Sequence, residues 1–286
     1  MNFLILGSEG QLGKSIANSG SFKEHNLYCF DKPEADITDK SVIDGLFKRF
    51  SIDVVINCAA YTNVDRSETD REETFAVNVE GVRNIAQCAA VYGAVMVHIS
   101  TDFVFDGKKG SPYSEDDSLN PLNFYGETKA KSEEAVLDTL DKYYIIRTSS
   151  MYSSIGRNFV KAIIENGRIR EEIRVVSDQI SSPTNSDDLA EAIIRLIETG
   201  KYGIYHFADS GSCSKYEMAA FIAEYCRLPA AVKPCATSEL NSEAERPANS
   251  VLDCGKYISV TGYTPPPWKA SLEKFMETHR YMYENS

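Results

Sequence analysis

Short apolar segments alternate with amphipathic ones through the first half of this 286-residue chain. Five of the apolar segments are rich in Val, Ile and aromatic residues and are bounded by polar turns, a pattern typical of buried strands. They cover residues 2–6, 27–31, 53–60, 94–100 and 143–148.

The stretches between these segments carry apolar residues at helical spacing. Val42, Leu46 and Phe47 share one helix face, and the segment from Phe75 to Ala89 presents a second apolar face. Strands that alternate with helices predict a parallel sheet covered on both faces. The expected fold class is therefore α/β, with a doubly wound parallel sheet.

The strand and helix alternation loosens after about residue 150. Ser214 and Glu217 form a capping box, which marks the start of a helix. The sequence contains no internal repeat. It also shows no flexible linker between the two halves, so we expect them to pack together. The predicted elements are strands at 173–177 and 203–208, helices near 187–198, 214–226 and from about 271, and a connection rich in Pro and Ala at 228–247.

Composition and charge narrow the classes of function. The formal net charge of −12 disfavours nucleic acid as a partner, because phosphate backbones are bound by basic surfaces. No apolar run approaches the roughly 20 residues of a membrane-spanning helix, and the N-terminal segment lacks the basic start of a signal peptide. Seven cysteines without a C-x-x-C pair indicate reduced thiols. We expect a soluble cytoplasmic protein without a zinc site.

Three glycines follow the first predicted strand and open the first predicted helix. Residues 7–13 read G-S-E-G-Q-L-G, so Gly7, Gly10 and Gly13 flank Gln11 and Leu12. Glycine permits a tight turn and lets backbone N–H groups approach a pyrophosphate, which the helix N-terminus also attracts. The segment predicts a Rossmann-type site for a dinucleotide such as NADPH or NADH.

An acidic residue ends the second predicted strand. Asp31 lies near the spacing from the glycines at which a carboxylate holds a cofactor ribose hydroxyl. Lys32 beside it is compatible with a 2′-phosphate, so the pattern leaves both NADH and NADPH open. Asp36 and Ile37, one loop further on, are expected to flank the adenine.

A tyrosine and a lysine are spaced by one helical turn in the segment Y-G-E-T-K. Tyr125 and Lys129 would project from one helix face, where the ammonium should lower the tyrosine pKa and suit it to proton transfer. Thr101 ends the strand at 94–100 at the sheet edge where α/β folds bind ligands, and its hydroxyl can hold a substrate oxygen. Ser100 can support it, whereas His98 is expected to be a core residue.

In this order, the glycine turn, the strand-end hydroxyls and Y-x-x-x-K resemble the extended short-chain dehydrogenase/reductases. Four longer strings resemble the dTDP-4-dehydrorhamnose reductase family within them, and the likeness runs from Gly7 to Asn249. The strings are S-T-D-F-V-F-D-G at 100–107, P-L-N-F-Y-G-E-T-K at 121–129, R-T-S at 147–149 and R-P-A-N-S at 246–250.

The resemblance implies a role for each part of the site. Tyr125 would donate the proton, Lys129 would be its electrostatic partner and Thr101 would orient the carbonyl. The segment 147–150 would pass beneath the nicotinamide. Ala59, Ala60 and Tyr61 would line the pyrophosphate and ribose, and the sugar side would be formed by Thr101, Asp102, Phe103, Ser150, Arg246 and Asn249.

The activity implied by the resemblance is the reduction of dTDP-4-dehydro-6-deoxy-L-mannose to dTDP-L-rhamnose with NADPH or NADH. Residues 1–150 would form the NAD(P)-binding domain. Residues 151–286 would form a smaller α/β substrate-binding region, from which about 185–208 return to the first domain. Some relatives imply a homodimer and a Mg²⁺ ion at the subunit interface.

Two residues depart from the family pattern. Ser150 stands where the family usually carries an aromatic ring that packs on the sugar, and Phe103 stands where it carries a second Tyr. The sugar configuration therefore stays open, as do another reductase of this fold, an epimerase that retains its cofactor, and a regulatory subunit like the methionine adenosyltransferase beta subunit. A sugar 4,6-dehydratase would need a second carboxylate at the position of Phe103.

Overall fold

The computed structural model describes residues 1–280 and Met282. The strands in this part of the chain are β1 (Asn2–Leu6), β2 (Asn26–Phe30), β3 (Val54–Asn57), β4 (Val95–Thr101), β5 (Tyr143–Thr148), β6 (Met151–Tyr152), β7 (Glu172–Val176), β8 (Ile180–Ser181), β9 (Thr184–Asn185), β10 (Gly203–His206), β11 (Cys213–Ser214) and β12 (Ala231–Cys235).

Helices connect these strands and cover the sheet. They are α1 (Gln11–Asn18), α2 (Lys40–Phe50), α3 (Val64–Ser67), α4 (Arg71–Phe75), α5 (Val82–Tyr92), α6 (Phe124–Leu137), α7 (Phe159–Ile169), α8 (Ser186–Thr199), α9 (Lys215–Tyr225), α10 (Gly255–Thr261) and α11 (Trp268–Thr278). Short 3₁₀ turns lie at Gly20–Phe22, Asp102–Val104 and Thr237–Glu239.

Six strands form one parallel sheet in the order β10-β5-β4-β3-β1-β2. The strand order reverses between β1 and β3, and the loops after these two strands diverge to open a crevice at the carboxyl edge of the sheet. The predicted α/β class and the five strands of the first half are confirmed. The strand predicted at 53–60 is shorter, because the chain leaves the sheet after Asn57.

Apolar side chains fill both faces of this sheet. On one face they come mainly from α2, α5 and α6, as with Phe47, Ile85 and Val136. On the other face they come from α1, α8 and α10, as with Ile16 and Ile193. Continuous apolar strands between two helical layers are what a buried parallel sheet requires.

The helix predicted around 75–89 is interrupted by a π-helical turn. The helix α4 continues through this turn, Ala76–Gly81, into α5. Such turns are rare and often lie next to functional sites. The fully buried Asn78 lies in this turn.

The C-terminal part of the chain has its own apolar cluster, formed by α7, α9 and α11. The predicted connection at 228–247 is wrong in one respect, because Ala231–Cys235 forms β12 and pairs in parallel with β7. Pro234 is tolerated because β12 is an edge strand, where a missing N–H group need not break a ladder. The helix α10 was not predicted, and α11 begins at Trp268 rather than 271.

The segment after α8 returns to the central sheet, since β10 pairs with β5. The division into two domains stays a prediction. All seven cysteines are free thiols. Across residues 1–280 and 282 we find no helix with the length and apolarity to cross a membrane.

Candidate active site

Three adjoining cavities form a continuous cleft along the carboxyl edge of the sheet. We call them the glycine-side cavity (about 250 Å³), the central cavity (about 610 Å³) and the distal cavity (about 280 Å³). The glycine-side and central cavities share the lining residues Gly10, Cys58, Ala59 and Ala60. The last two share Thr62, Thr101, Tyr125 and Ser150. The cleft is therefore long enough for an extended ligand next to a second one.

The glycine turn brings backbone very close to backbone. Gly7 has φ +77°, and a Cβ atom on it would lie 2.6 Å from the backbone nitrogen of Ala59. A Cβ atom on Gly13 would lie 2.4 Å from the carbonyl oxygen of Gly7. Gly10 precedes α1 without any side-chain cap, and Gln11 and Leu12 line the central cavity. The first turn of α1 therefore presents backbone donors to an anion.

Asp31 lies where the sequence placed the ribose acid. It lines the glycine-side cavity with Lys32 and Ile37, and its carboxylate accepts hydrogen bonds from the backbone N–H groups of Glu9 (2.9 Å) and Lys32 (2.7 Å). Asp36 is not on this wall. Its carboxylate instead accepts from Thr38 and pairs with the Lys32 ammonium at 3.2 Å.

The loop after β3 is fastened to the helix that carries the tyrosine and lysine. Tyr61 lines the glycine-side cavity, and its backbone N–H donates to Asn78 Oδ1 at 2.8 Å. Asn78 Nδ2 in turn donates to the carbonyl oxygen of Tyr61 and to Thr128 Oγ1, each at 3.1 Å. Asn78 therefore sets the position of α6 relative to the loop. Sequence reasoning missed it, because no local pattern marks the π-helical turn.

The start of α6 is pressed against the 3₁₀ turn that follows β4. The Asn123 side chain caps the helix by accepting from the Gly126 N–H at 2.8 Å. A Cβ atom on Gly126 would lie 2.2 Å from the carbonyl oxygen of Phe103. This close approach brings Tyr125 and Thr101 onto one cavity wall. The phenol therefore lies at the junction of the central and distal cavities.

The pKa of Tyr125 differs from the sequence prediction. Burial raises it to about 12, and the nearby Thr101 hydroxyl lowers it only in part. The expected lowering by Lys129 is not found, because the ammonium donates to the carbonyl oxygen of Ile99 at 2.6 Å and approaches His98 Nε2 at 3.4 Å. The phenol is thus fully protonated at neutral pH, as a proton donor must be.

Lys129 is buried, with 2% of its surface exposed. Burial lowers the pKa of its ammonium to about 8, although the Glu133 carboxylate acts in the opposite direction. His98 is fully buried between Asn57 and Ser132, and its pKa is held well below the usual value by burial and by Lys129. The prediction that His98 is a core residue is confirmed.

The Asp102 carboxylate joins three segments of the site. It accepts hydrogen bonds from the hydroxyls of Thr101 (3.1 Å), Ser149 (2.7 Å) and Ser250. Burial raises its pKa, while these hydroxyls and the Lys215 charge act to lower it. Phe103 lies beside it on the wall of the distal cavity, with its ring at 5.9 Å from the Tyr125 ring in an edge arrangement.

Ser150 separates the central and distal cavities. Its backbone is left-handed (φ +46°), a conformation that is uncommon for residues other than glycine and that often lies at functional sites. Its hydroxyl hydrogen-bonds Ser181 Oγ and accepts from Lys215 Nζ, each at 2.7 Å. Thr148 and Ser149 line the central cavity as expected, whereas the Arg147 side chain turns away to Glu133.

The segment 246–250 reaches the distal cavity only in part. Arg246 lines it and is held by Asp65 through two hydrogen bonds of 3.1 and 2.7 Å. Asn249 is not on the wall, and its side chain accepts from the Val251 N–H. Its neighbour Ser250 takes that place. The sequence did not mark the other polar members of the wall, Thr62, Gln179, Ser181 and Lys215, because the tertiary fold alone brings them together.

No metal site accompanies this cleft in the described part of the chain. There, His, Cys, Asp and Glu side chains form no group of three or more that is suited to hold a metal ion.

Comparison with known proteins gives a consistent assignment. Residues 1–281 match the family model described as RmlD substrate binding domain. The chain is 38% identical to the spore coat polysaccharide biosynthesis protein SpsK of Bacillus subtilis (strain 168), over 96% of both chains. It is 37% identical to a dTDP-4-dehydrorhamnose reductase of Aggregatibacter actinomycetemcomitans, over 94% of this chain and 96% of that protein.

A solved structure is equally similar. The dTDP-4-dehydrorhamnose reductase of Bacillus anthracis str. Ames, crystallised in complex with NADP, is 39% identical and superimposes with a TM-score of 0.94. The match covers 97% of this chain and 99% of that one.

Proposed function

This chain belongs to the dTDP-4-dehydrorhamnose reductase family, and we propose that it reduces dTDP-4-dehydro-6-deoxy-L-mannose to dTDP-L-rhamnose with NADPH or NADH. It would thus act in nucleotide-sugar biosynthesis for cell-surface polysaccharide. The observation that carries the proposal is the place of Tyr125 and Thr101, which both lie on the wall that the central and distal cavities share.

The residues of the first two cavities fit a dinucleotide. The uncapped N-terminus of α1 offers donors for the pyrophosphate, and the absence of a Cβ atom at Gly7 keeps the path beside Ala59 open. Asp31 offers a carboxylate to a ribose hydroxyl. The reduced nicotinamide would supply a hydride to the C4 carbon of the sugar.

Tyr125 supplies the proton that completes the reduction. As the carbonyl carbon accepts the hydride, its oxygen becomes an alkoxide and takes the phenol proton, and an alkoxide is more basic than a phenolate. A pKa of about 12 keeps the phenol protonated until that moment. The Thr101 hydroxyl, which donates to Asp102 at 3.1 Å in the free protein, would turn its single proton to the carbonyl oxygen and stabilise the developing charge.

The distal cavity receives the nucleotide-sugar. Arg246 presents a planar guanidinium that can bind a diphosphate with two hydrogen bonds, and Asp65 holds that plane in place. Asp102 does not face the sugar as a free base, since three hydroxyl groups already donate to it. Its role is to position Thr101 and the segment that carries Ser149.

We expect kcat/KM to fall as the pH rises through about 8. The buried Lys129 ammonium has a lowered pKa of about 8, so its charge is present below that pH and lost above it. Lys129 lines the central cavity, so its charge would stabilise the negative charge that develops on the substrate oxygen there. The measurement is a pH profile of kcat/KM, with cofactor affinity measured at each pH as control. A flat profile from pH 6 to 9.5 would contradict this role.

Replacement of Asp31 by Asn should shift cofactor use toward NADPH by roughly tenfold or more, measured as the ratio of kcat/KM with NADPH to that with NADH. The reason is that the carboxylate on the cavity wall repels a 2′-phosphate at close range. Asp36→Asn is the matched control, because Asp36 lies on the same loop but off the wall. An unchanged ratio in Asp31→Asn would show that Asp31 does not face the ribose.

The direct test of the activity is loss of absorbance at the reduced-nicotinamide band with a panel of dTDP-4-keto-6-deoxy sugars. We expect oxidation of one cofactor per sugar. A sugar epimerised without net oxidation would identify an epimerase, and binding without turnover would favour a regulatory subunit. A homodimer and a Mg²⁺ ion between subunits remain predictions from the family resemblance.

A further inference from the structure

The distal cavity contains a cation that the reduction mechanism does not use. Lys215 lines this cavity, and its Nζ atom donates to Ser150 Oγ at 2.7 Å. The ammonium also lies 5.2 Å from the centre of the Phe159 ring. An ammonium has three N–H donors, and the Ser150 hydroxyl uses one of them. The remaining donors are available to a ligand.

The place of Lys215 is unfavourable for a cation. It is the first residue of α9 and lies between Ser214 and Glu217, the two residues of the capping box. The N-terminus of a helix carries partial positive charge. Burial also lowers its pKa, although the Asp102 carboxylate acts to raise it. A lysine held at a helix N-terminus and partly out of water costs stability, so a function that needs the charge is the simplest reason for it.

The other cation of the cavity is already paired. Arg246 is bound by both oxygens of Asp65. The Lys215 ammonium donates to the hydroxyl of Ser150, which Ser181 fixes from the other side. Ser150 also borders the central cavity, whose wall includes Tyr125 and Thr101. The ammonium therefore lies on the wall of the same cavity as Tyr125 and Thr101.

We propose that Lys215 is a specificity-determining residue for the sugar: its ammonium donates to a ring hydroxyl of the 4-keto-deoxyhexose and excludes sugars that carry an amino group. Ser150 and Ser181 orient the ammonium. The inference rests on the proposed function, because it assumes that the distal cavity holds the sugar. It accounts for the polar Ser150 in a wall where an aromatic ring would leave no acceptor for the lysine.

The test compares Lys215→Met, Lys215→Arg and the control Lys233→Met. The control removes an exposed lysine from β12 in the same half of the molecule. We expect KM for the keto sugar to rise roughly 10- to 100-fold in Lys215→Met, with partial rescue in Lys215→Arg and no change in the control. Cofactor affinity should stay constant in all three. Ser150→Ala should also raise KM, because it removes the hydroxyl that orients the ammonium. This second variant keeps the test valid if Lys215→Met does not fold.

Binding by calorimetry separates this inference from the proposed activity. The probes are dTDP-L-rhamnose, a dTDP-6-deoxyhexose with an amino group in place of a ring hydroxyl, and dTDP alone. We expect the wild type to prefer the hydroxyl sugar at least tenfold, and Lys215→Met to lose that preference while its affinity for dTDP is unchanged. A preference that survives in Lys215→Met, or dTDP affinity that falls in parallel, would overturn the inference, whether or not the keto sugar is turned over.

Discussion

Replacing Tyr125 by Phe should lower kcat by roughly 10³-fold and leave cofactor affinity unchanged. The phenol lies at the junction of the central and distal cavities beside Thr101, and it is the proton donor that the structure offers to a carbonyl there. General acid catalysis by a positioned side chain contributes about 10²- to 10⁴-fold. The measurements are single-turnover rates with the keto sugar and a titration of NADPH by fluorescence.

A matched control is available for this variant. Tyr202 is 41% exposed and does not line the cleft, so Tyr202→Phe should keep full activity. The kcat of Thr101→Val should lie between those of Tyr125→Phe and Tyr202→Phe. This variant removes the hydroxyl that would hold the substrate carbonyl oxygen but keeps the Tyr125 phenol. Full turnover in Tyr125→Phe would contradict the assignment of the proton donor.

Replacing Arg147 by Met should destabilise the protein by about 3–5 kcal/mol. Arg147 binds Glu133 through three hydrogen bonds of 2.7 to 3.2 Å, and both side chains are almost fully buried, with 3% and 1% exposed. Removal of one partner leaves the other charge buried and unpaired. The pair also fastens α6, which carries Tyr125 and Lys129, to β5. The measurement is the free energy of unfolding in urea.

The double variant Arg147→Met with Glu133→Gln provides the control for this effect. It removes both charges, so it should recover a substantial part of the lost stability. An exposed pair such as Arg174 with Glu239 should contribute less than about 1 kcal/mol. An equal loss of stability in Arg147→Met and Arg174→Met would contradict the claim that the buried Arg147–Glu133 pair stabilises the attachment of α6 to β5.

The central sheet could be predicted from the sequence because its strands are buried on both faces. Such strands are continuous apolar runs that end at polar turns, and the bounds of β1 and β5 were predicted to the residue. The strand predicted at 53–60 was too long, since β3 ends at Asn57. Cys58, Ala59 and Ala60 are apolar like a strand, but they form the wall of the glycine-side cavity.

The candidate site was predictable where one local pattern carries the chemistry. The glycine turn, Asp31 and the Tyr125/Lys129 pair each depend on spacing within a single segment. The tyrosine pKa was not predictable, because it depends on burial and on the direction of the Lys129 ammonium. The sequence did not predict that Asn78 and Lys215 belong to the site, because the residues that they contact there are distant in the sequence.

Transfer of deuterium to the sugar from NADPH that carries deuterium at both C4 positions tests the central claim most directly. The cleft places Tyr125 where a carbonyl would meet a nicotinamide, so NMR of the product should show one deuterium at sugar C4 for each cofactor oxidised. Tyr125→Phe should show almost none in the same time. Oxidation of the cofactor without deuterium at C4, or a sugar converted with no net oxidation, would contradict the account.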